Sequence, residues 1–172
     1  VVLTTGDAAL HRKLALASRV LDTLVSRRLL AASWLDVGCS AGALPLLLAH
    51  AEAARLPAGA AGADADAEYV TVARGSAALV DALSGGARPP PTFHEASVST
   101  LAATADVVSA FALVHWLWSA TELYGSLTAI IDALAARARV ALLVEWVDPV
   151  DPAIAALGHV VRNGASAVGY DL

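Results

Sequence analysis

Acidic and glycine residues suited to holding a charged ligand stand just after two short apolar segments of the sequence. The first segment runs into the turn LDVGCSAG at residues 35–42, where Gly38 and Gly42 allow a ligand to approach the backbone closely. Asp36 can accept hydrogen bonds from a cationic group or brace the turn, and the helix expected after Gly42 offers N–H groups to a carboxylate. The second segment ends at Asp64, whose carboxylate can accept two hydrogen bonds from a ribose diol. This spacing predicts a site for a nucleotide-like ligand.

Two phosphate-binding patterns are absent from the same turn. The dinucleotide pattern G-x-G-x-x-G would need glycine at positions 38, 40 and 43, but Ser40 and Ala43 occupy the last two. The phosphate loop G-x-x-x-x-G-K-[ST] fails as well, because Ala43 stands where its second glycine belongs and no lysine follows. We therefore expect a ligand that carries a ribose and a carboxylate but no phosphate.

Candidates for catalysis are few. His115 follows the fourth predicted strand on the side where a substrate would enter, and its ordinary pKa suits a general base. The alternative is a hydrogen-bonded histidine at a helix start beside Trp116. Glu145, near the end of the fifth predicted strand, belongs either to the site or to a structural network, because a buried carboxylate needs a partner. Cys39 is the only cysteine and the histidines lack ligand spacing, so we predict no metal site.

The elements that must position these residues alternate between strands and helices. Helical spacing of apolar residues predicts helices over residues 7–30, 43–54, 67–83 and 121–138, the third capped by Asp66, and a last helix near Ala153. Apolar runs predict strands over residues 32–37, 92–96, 106–111 and 140–147, and a weaker strand ending at residues 63–64. We expect an α/β fold, a doubly wound and mostly parallel sheet with helices on both faces. Ligands bind such sheets at the carboxyl ends of the strands.

Length and composition exclude several classes of protein. With 172 residues we expect one domain, with a helical segment at residues 1–30, a core at 31–150 and a helix and tail at 151–172. The net charge of -5 and the scattered arginines argue against a broad nucleic-acid surface. The apolar runs are shorter than the roughly 20 residues of a membrane span. A lone cysteine favours a reducing compartment, and we expect a cytoplasmic location.

Four segments resemble the motifs of class I S-adenosylmethionine-dependent methyltransferases. In chain order, they are LDVGCSAG at residues 35–42, GADAD at 62–66, DVVSAFALVHW at 106–116 and LLVEW at 142–146. The resemblance extends over about residues 3–161. It implies a Rossmann-like methyltransferase fold, S-adenosylmethionine as the cofactor and methyl transfer to an acceptor. Signatures of nucleic-acid methylators and of magnesium-dependent catechol-type enzymes are missing after the fourth strand, which leaves a small-molecule acceptor as our expectation.

The resemblance also implies roles for particular residues. Our own candidate for the catalytic residue, from its position after the fourth strand, is His115. The residues implied to contact the cofactor are Asp36, Gly38, Cys39, Ser40 and Gly42 in the first turn, Asp64 and Ala65 at the ribose, Ser97 and Val98 at the adenine, and Ala110 and Phe111 beside the sulfonium. Many members of the family carry an acid at the adenine edge, where this chain has Ser97 with Glu95 nearby. The family's sheet usually closes with two more strands, and we expect that hairpin to be lacking here.

Two other interpretations stay open from the sequence. One is a non-catalytic or degenerate domain that only binds S-adenosylmethionine. The other is a nicotinamide-dependent oxidoreductase of the Rossmann type, against which the glycine spacing at residues 38–43 argues.

Overall fold

The computed structural model describes residues 5–29, 32–86, 88–120, 123 and 126–145. Its elements in chain order are α1 Thr5–Ser26, β1 Trp34–Val37, α2 Ala43–Ala51, β2 Ala60–Asp64, α3 Ala67–Ser84, β3 Thr92–Glu95, β4 Ala105–Ala110, α4 Val114–Ala120, α5 Leu127–Ala135 and β5 Ala138–Val144. The five strands form one parallel sheet in the order β3-β2-β1-β4-β5. The predicted α/β fold with a doubly wound sheet is confirmed.

The strand order reverses between β1 and β4, at the centre of the sheet. All four residues of β1 are buried, because the strand has a neighbour on each side and helices on both faces. In the register of the two strands, Asp36 on β1 lies opposite Ser109 on β4. The crevice that a parallel sheet opens for ligands therefore begins at Asp36.

Helices cover the sheet on both faces. On one face, Leu21 of α1 and Leu48 of α2 pack with Trp34 and Val107 of the central strands. On the same face, α3 covers β2 and β3 around Phe93. On the opposite face, α4 and α5 pack against alternate residues of β1 and β4, such as Leu35 and Val108. The side chains of Asp36 and Ser109 thus lie on the face that α1 covers.

The start of α3 agrees closely with the prediction. The Asp66 carboxylate accepts hydrogen bonds from the backbone N–H groups of Glu68, at 2.8 Å, and Tyr69, at 3.4 Å. It therefore caps a helix that runs from Ala67 to Ser84, one residue longer than predicted. The weak second strand, β2, ends at Asp64, as predicted.

Three helices differ from their predicted bounds. Helix α1 ends at Ser26 rather than at residue 30, and Arg28 just beyond it has a positive φ of 57°. Helix α2 ends at Ala51. The helix predicted over 121–138 begins only at Leu127, because the Ser126 hydroxyl accepts a hydrogen bond from Ala129 N–H and caps it there. A separate short helix, α4, precedes it.

Some predictions fall on parts of the chain outside the described residues. They are the end of the fifth strand at residues 146–147, the helix near Ala153, the tail at 151–172 and the lack of a closing hairpin. The division into one domain stays a prediction. Within the described ranges, no helix combines the length and the apolar character that crossing a membrane requires.

Candidate functional site

A cavity of about 720 Å³ opens at the carboxyl ends of the central strands. Nine of the eleven residues predicted to contact a cofactor line it: Asp36, Gly38, Cys39, Ser40, Asp64, Ala65, Ser97, Val98 and Phe111. Their contact with a cofactor stays a prediction. Gly42 and Ala110 are not among the residues that line this cavity. Further lining residues come from α1, from the start of α3 and from α4.

Asp36 is a buried carboxylate in the cavity wall, only 6% exposed. The Ser109 hydroxyl donates to Asp36 Oδ1 at 2.6 Å, and Trp34 Nε1 donates to Ser109 Oγ at 2.8 Å. Burial raises the pKa of Asp36 to about 7, although the Ser109 hydrogen bond and the charge of Lys13 lower it. The charge of Asp64 acts in the same direction as burial. A cationic ligand group beside Asp36 would therefore replace a proton or an unfavourable buried charge.

The turn after β1 adopts the left-handed conformation at three alternate residues. Gly38 has a φ of 72°, Ser40 of 49° and Gly42 of 78°. A Cβ atom on Gly38 would lie 2.7 Å from Leu113 Cδ1, so this glycine leaves room for a side chain that itself lines the cavity. The absence of a side chain at Gly38 thus determines the shape of the cavity at this end.

Gly42 makes room for packing between protein elements and does not line the cavity. A Cβ atom there would lie 2.6 Å from the ring of Phe93 and 2.8 Å from Ala73 Cβ. Gly42 therefore lets the start of α2 approach β3 and α3, behind the turn. The prediction that Gly42 contacts the ligand is not supported by this position, because its missing side chain makes room for protein atoms.

Asp64 braces the turn from the end of β2. Its Oδ2 accepts a hydrogen bond from Ser40 N–H at 2.8 Å, and its Oδ1 accepts one from Asp66 N–H at 3.0 Å. Each carboxylate oxygen has a second lone pair, so both can still accept hydrogen bonds from a ligand hydroxyl. Both Asp64 and Asp66 line the cavity, but Asp66 also caps α3. The assignment of the ribose contact to Asp64 stays a prediction.

The loop after β3 supplies Ser97 and Val98 to the wall. The Ser97 hydroxyl is engaged within its own turn, since it lies 3.2 Å from the hydroxyl of Thr100. Glu95 is exposed at the end of β3 and does not line this cavity. Tyr69, in the first turn of α3, does line it, and sequence reasoning missed this residue. The signal was available, because Tyr69 follows the helix cap Asp66 by three residues and so lies at the carboxyl edge of the sheet.

Ala110 is the last residue of β4, and Phe111 follows it directly. Phe111 is 9% exposed and lines the cavity, as predicted. Ala110 is fully buried, and its carbonyl oxygen accepts a hydrogen bond from Glu145 N–H at 3.1 Å, which ties the end of β4 to the end of β5. The predicted contact between Ala110 and a ligand is not supported, because a strand side chain one position away faces the opposite side of the sheet.

Of the neighbouring residues His115 and Trp116, only Trp116 lines the cavity. His115 is 8% exposed and is not among the residues lining this cavity, whereas Trp116 is 44% exposed and does line it. Successive residues of a helix point about 100° apart, so α4 presents only one of the two to the cleft. The imidazole of His115 is thus not part of this cavity wall, and its role as a general base remains a prediction.

Lys13 is a lining residue that sequence reasoning missed. Its Nζ lies 3.4 Å from Glu145 Oε2 and 5.4 Å from the centre of the Phe111 ring. Among the described residues that line the cavity, Lys13 is the only base, and Asp36, Asp64 and Asp66 are the acids. Lys13 is the only lysine of the chain and lies off the apolar face of α1. This pattern predicts a cation exposed to solvent. The packing of α1 on the sheet is what brings Lys13 to the cavity.

Cys39 lines the cavity without being reactive. Burial raises the pKa of its thiol to about 12, and the charges of Asp36 and Asp64 add to this effect. The group is therefore a neutral thiol at physiological pH and a small packing residue. In the described part of the chain, no group of three or more His, Cys, Asp or Glu side chains is placed to hold a metal ion.

Similarity to known proteins lies in the fold. No family model matches the sequence. No curated protein matches it either. The structure is similar to magnesium protoporphyrin IX methyltransferase (ChlM) from Synechocystis PCC 6803 with bound SAH, with a TM-score of 0.59 and 20% identity over 94% of this chain and 68% of that one. It is also similar to DesVI of Streptomyces venezuelae, with a TM-score of 0.53 and 25% identity over 79% of this chain and 52% of that one.

A third similar structure is CalS10, an amino pentose methyltransferase from Micromonospora echinaspora with SAM bound. Its TM-score is 0.53 and its identity 24%, over 87% of this chain and 59% of that one. The chain thus spans between about half and two thirds of the length of these three proteins. It has the Rossmann-like fold of the class I S-adenosylmethionine-dependent methyltransferases, as the sequence motifs predicted.

Proposed function

We propose that this chain binds S-adenosylmethionine and transfers its methyl group to a small-molecule acceptor. The observation that carries the proposal is one continuous cavity at the point where the strand order reverses. Its wall joins a buried acid on β1, a second acid at the end of β2 and an aromatic ring after β4. Two of the similar structures are methyltransferases by name, and ChlM has SAH bound.

The chemistry of the lining suits this cofactor. S-adenosylmethionine carries an ammonium group, a ribose diol and a flat base, and it supplies a methyl group on a sulfonium. We assign the ammonium group to Asp36 and the ribose hydroxyls to Asp64, whose oxygens have free lone pairs. The base would lie between Val98 and Tyr69. Phe111 would stand near the sulfonium, where an aromatic face attracts a cation.

The rest of the cavity offers a place for the acceptor. Leu10 and Lys13 of α1 line it together with Trp116 of α4 and Leu123. These are mostly apolar walls, of the kind that surround small-molecule ligands. Their work would be to orient the acceptor nucleophile toward the methyl group and to exclude water, which is how positioning accelerates a displacement. The proposal assigns no proton transfer to His115.

Calorimetric titration of the chain with S-adenosylmethionine and with NAD tests the proposal. We expect binding of the first ligand and no heat from the second. Gly38→Val should weaken binding by more than about tenfold, or about 1.4 kcal/mol. Its Cβ would lie 2.7 Å from Leu113 Cδ1 at a residue with a positive φ. Tight binding of NAD without any response to S-adenosylmethionine would refute the proposal.

Gly85→Val is the matched control for Gly38→Val. Gly85 also has a positive φ, of 65°, but a Cβ atom there meets nothing within 4 Å, and the residue lies at the far end of α3. The control therefore carries the same kind of backbone strain without entering the cavity. It should lose stability in thermal unfolding and keep the affinity of the unsubstituted chain.

A further inference from the structure

Three buried side chains of two neighbouring strands form a chain of hydrogen bonds beside the cavity. Trp34 is 1% exposed, Ser109 is fully buried and Asp36 is 6% exposed. Trp34 Nε1 donates to Ser109 Oγ at 2.8 Å, and Ser109 Oγ donates to Asp36 Oδ1 at 2.6 Å. Of the three residues, only Asp36 lines the cavity. The other two therefore act on a ligand through Asp36.

The direction of both hydrogen bonds follows from the groups that make them. An indole N–H is only a donor, so Ser109 Oγ accepts from Trp34. The hydroxyl has one proton, and Asp36 Oδ1 is its acceptor. The reverse arrangement, with a proton on Oδ1, would leave the hydroxyl proton of a fully buried residue without an acceptor in the described part of the chain. Any proton that Asp36 binds therefore resides on Oδ2.

Asp36 Oδ2 is the oxygen left for a ligand. Among the described residues it receives no hydrogen bond, whereas Oδ1 is occupied by Ser109. We propose that Ser109, held by Trp34, is a positioning residue that keeps Asp36 Oδ2 available to the ammonium group of the cofactor, and that uptake of this cation releases a proton from Asp36. This inference rests on the proposed function. In the exchange, the Oδ2–H bond breaks, the proton goes to the solvent, and the carboxylate accepts hydrogen bonds from the ammonium group.

The charged groups around Asp36 come from several elements. Lys13 lies on α1, and its ammonium group also forms an ion pair with Glu145, which follows β5. Asp64 approaches from β2, and the neutral thiol of Cys39 lies in the turn between them. Burial dominates over these charges and raises the pKa of Asp36 to about 7. Both the protonated and the ionised form of Asp36 are therefore accessible near neutral pH.

The titration of Asp36 in the ligand-free chain tests the role of Ser109. The carboxyl carbon is followed by NMR in aspartate-labelled protein, for the natural chain and for Ser109→Ala. The titration midpoint should rise by about 1–2 pH units in the variant, because a hydrogen bond to the charged form is lost. An unchanged midpoint would overturn the role of Ser109.

Trp34→Phe separates positioning from packing. This variant removes the indole donor but keeps the Ser109 hydroxyl as a donor to Asp36, so the midpoint should move much less than in Ser109→Ala. The double variant Trp34→Phe with Ser109→Ala leaves no indole donor unpaired and provides a second reading if Ser109→Ala alone folds poorly. A midpoint in the double variant equal to that of Trp34→Phe would also overturn the role of Ser109.

Calorimetry with S-adenosylhomocysteine tests the release of the proton. This ligand keeps the ammonium group and cannot react. Titrations at pH 7 in buffers of different ionisation enthalpy should show release of a fraction of a proton per site, and a smaller fraction at pH 8, where more of Asp36 is already ionised. 5′-Methylthioadenosine, which lacks the ammonium group, should release none. Binding of S-adenosylhomocysteine without proton release at pH 7 would overturn the exchange while leaving the proposed function intact.

The two failures are distinguishable. If neither S-adenosylmethionine nor S-adenosylhomocysteine binds, the proposed function fails and the proton exchange fails with it. The NMR titration still decides whether Ser109 controls the ionisation of Asp36, because it needs no ligand.

Discussion

The burial that prepares Asp36 for a cation also destabilises the folded chain at neutral pH. Its pKa is about 7 in the folded chain and about 3.9 in an unfolded one, so the folded state holds a proton that the unfolded state has lost. The stabilising contribution of this proton is complete below about pH 4 and is lost as the pH rises through 7. The free energy of unfolding should fall by up to about 4 kcal/mol across this range.

Asp36→Asn removes this pH dependence. Asparagine can still accept the Ser109 hydrogen bond and never ionises, so the variant should be more stable than the natural chain at pH 8 and bind S-adenosylmethionine much more weakly. Urea unfolding at pH 5 and pH 8 measures the first effect and calorimetry the second. A variant whose stability falls between pH 4 and 7 as steeply as that of the natural chain would contradict this account.

The two acids at the end of β2 should separate in their effects. Both acids line the cavity, but Asp66 Oδ1 is engaged in capping α3. Asp64→Ala should therefore weaken cofactor binding by about 1–3 kcal/mol, and Asp66→Ala should weaken it less. Asp64→Ala also frees the N–H groups of Ser40 and Asp66, so some stability is lost with the affinity. Calorimetric affinities of the two variants decide the matter. A larger loss in Asp66→Ala would mean that the ribose contact belongs to Asp66.

At the scale of single elements, the first turn of α3 depends on its cap. Asp66→Ala removes the acceptor for the N–H groups of Glu68 and Tyr69. The free energy of unfolding should fall by about 1 kcal/mol, and denaturant unfolding measures it. Asp66→Ser, which retains a capping oxygen, should recover most of the loss; equal losses in the two variants would mean that the cap contributes little.

Helix α4 offers a second contrast between neighbouring residues. His115 is buried and Trp116 lines the cavity, so His115→Ala should lower the free energy of unfolding by about 1–3 kcal/mol and leave the turnover of the folded fraction unchanged. Trp116→Ala should change the free energy of unfolding little, because 44% of the residue is exposed. It should lower the turnover, because Trp116 lines the cavity. Thermal unfolding and methylation rates with an identified acceptor measure both effects. A stable His115→Ala chain that turns over about 10²–10⁴ times more slowly would restore His115 as the base.

At the scale of the whole molecule, one ionic cluster joins the starts of three strands. Asp106 on β4 accepts hydrogen bonds from Ser33 N–H, at 3.1 Å, and from Arg139 Nε of β5, at 2.8 Å. Ser33 and Ala32 precede β1, and Ala32 N–H donates to the same carboxylate at 2.7 Å. The cluster lies at the end of the sheet opposite the cavity, so it stabilises the fold without touching the site.

This cluster predicts a loss of stability in acid. Burial raises the pKa of Asp106. A larger opposite effect comes from the hydrogen bonds of Arg139, Ala32 and Ser33 and from the charge of Arg139, so the pKa lies below its ordinary value. A depressed pKa stabilises the folded chain above about pH 3.9, and this contribution is lost as the pH falls through the folded-state pKa. Asp106→Asn should be less stable by about 1–3 kcal/mol at pH 7 and should lack this acid-dependent loss.

The acid prediction has a matched control in Asp132→Asn. Asp132 is exposed on α5, away from the cluster, so this substitution should change neither the stability at pH 7 nor its decline in acid. Urea unfolding between pH 2 and pH 7 compares the two variants with the natural chain. Identical acid profiles for Asp106→Asn and the natural chain would remove Asp106 as the cause.

Much of this fold was predictable because its signals are local. The apolar runs of β1 and β4 and the helical spacing of α3 each depend on a few neighbouring residues. Gly38 and Asp66 mark a turn and a helix start by their own stereochemistry. Parallel strands all point their carboxyl ends to one edge, so the turn after β1 and the acid after β2 had to meet.

Other features depend on how elements sit against one another. Helix α4 is short and almost wholly apolar, so its sequence did not reveal whether His115 or Trp116 faces the cleft; packing against α5 and the sheet decides the rotation. Gly42 was taken for a ligand contact because its missing side chain makes room, but the atoms that use the room belong to Phe93 and Ala73.

The sequence by itself determined the class of fold and identified nine of the residues that line the cavity. Only the tertiary structure brought Lys13 of α1 to the cavity wall and placed Ser109 opposite Asp36. The physical reason is distance along the chain. Asp36 and Ser109 are 73 residues apart in the sequence, and they form a hydrogen bond because β1 and β4 are neighbours in the sheet. The order of strands in a sheet cannot be read from local sequence patterns.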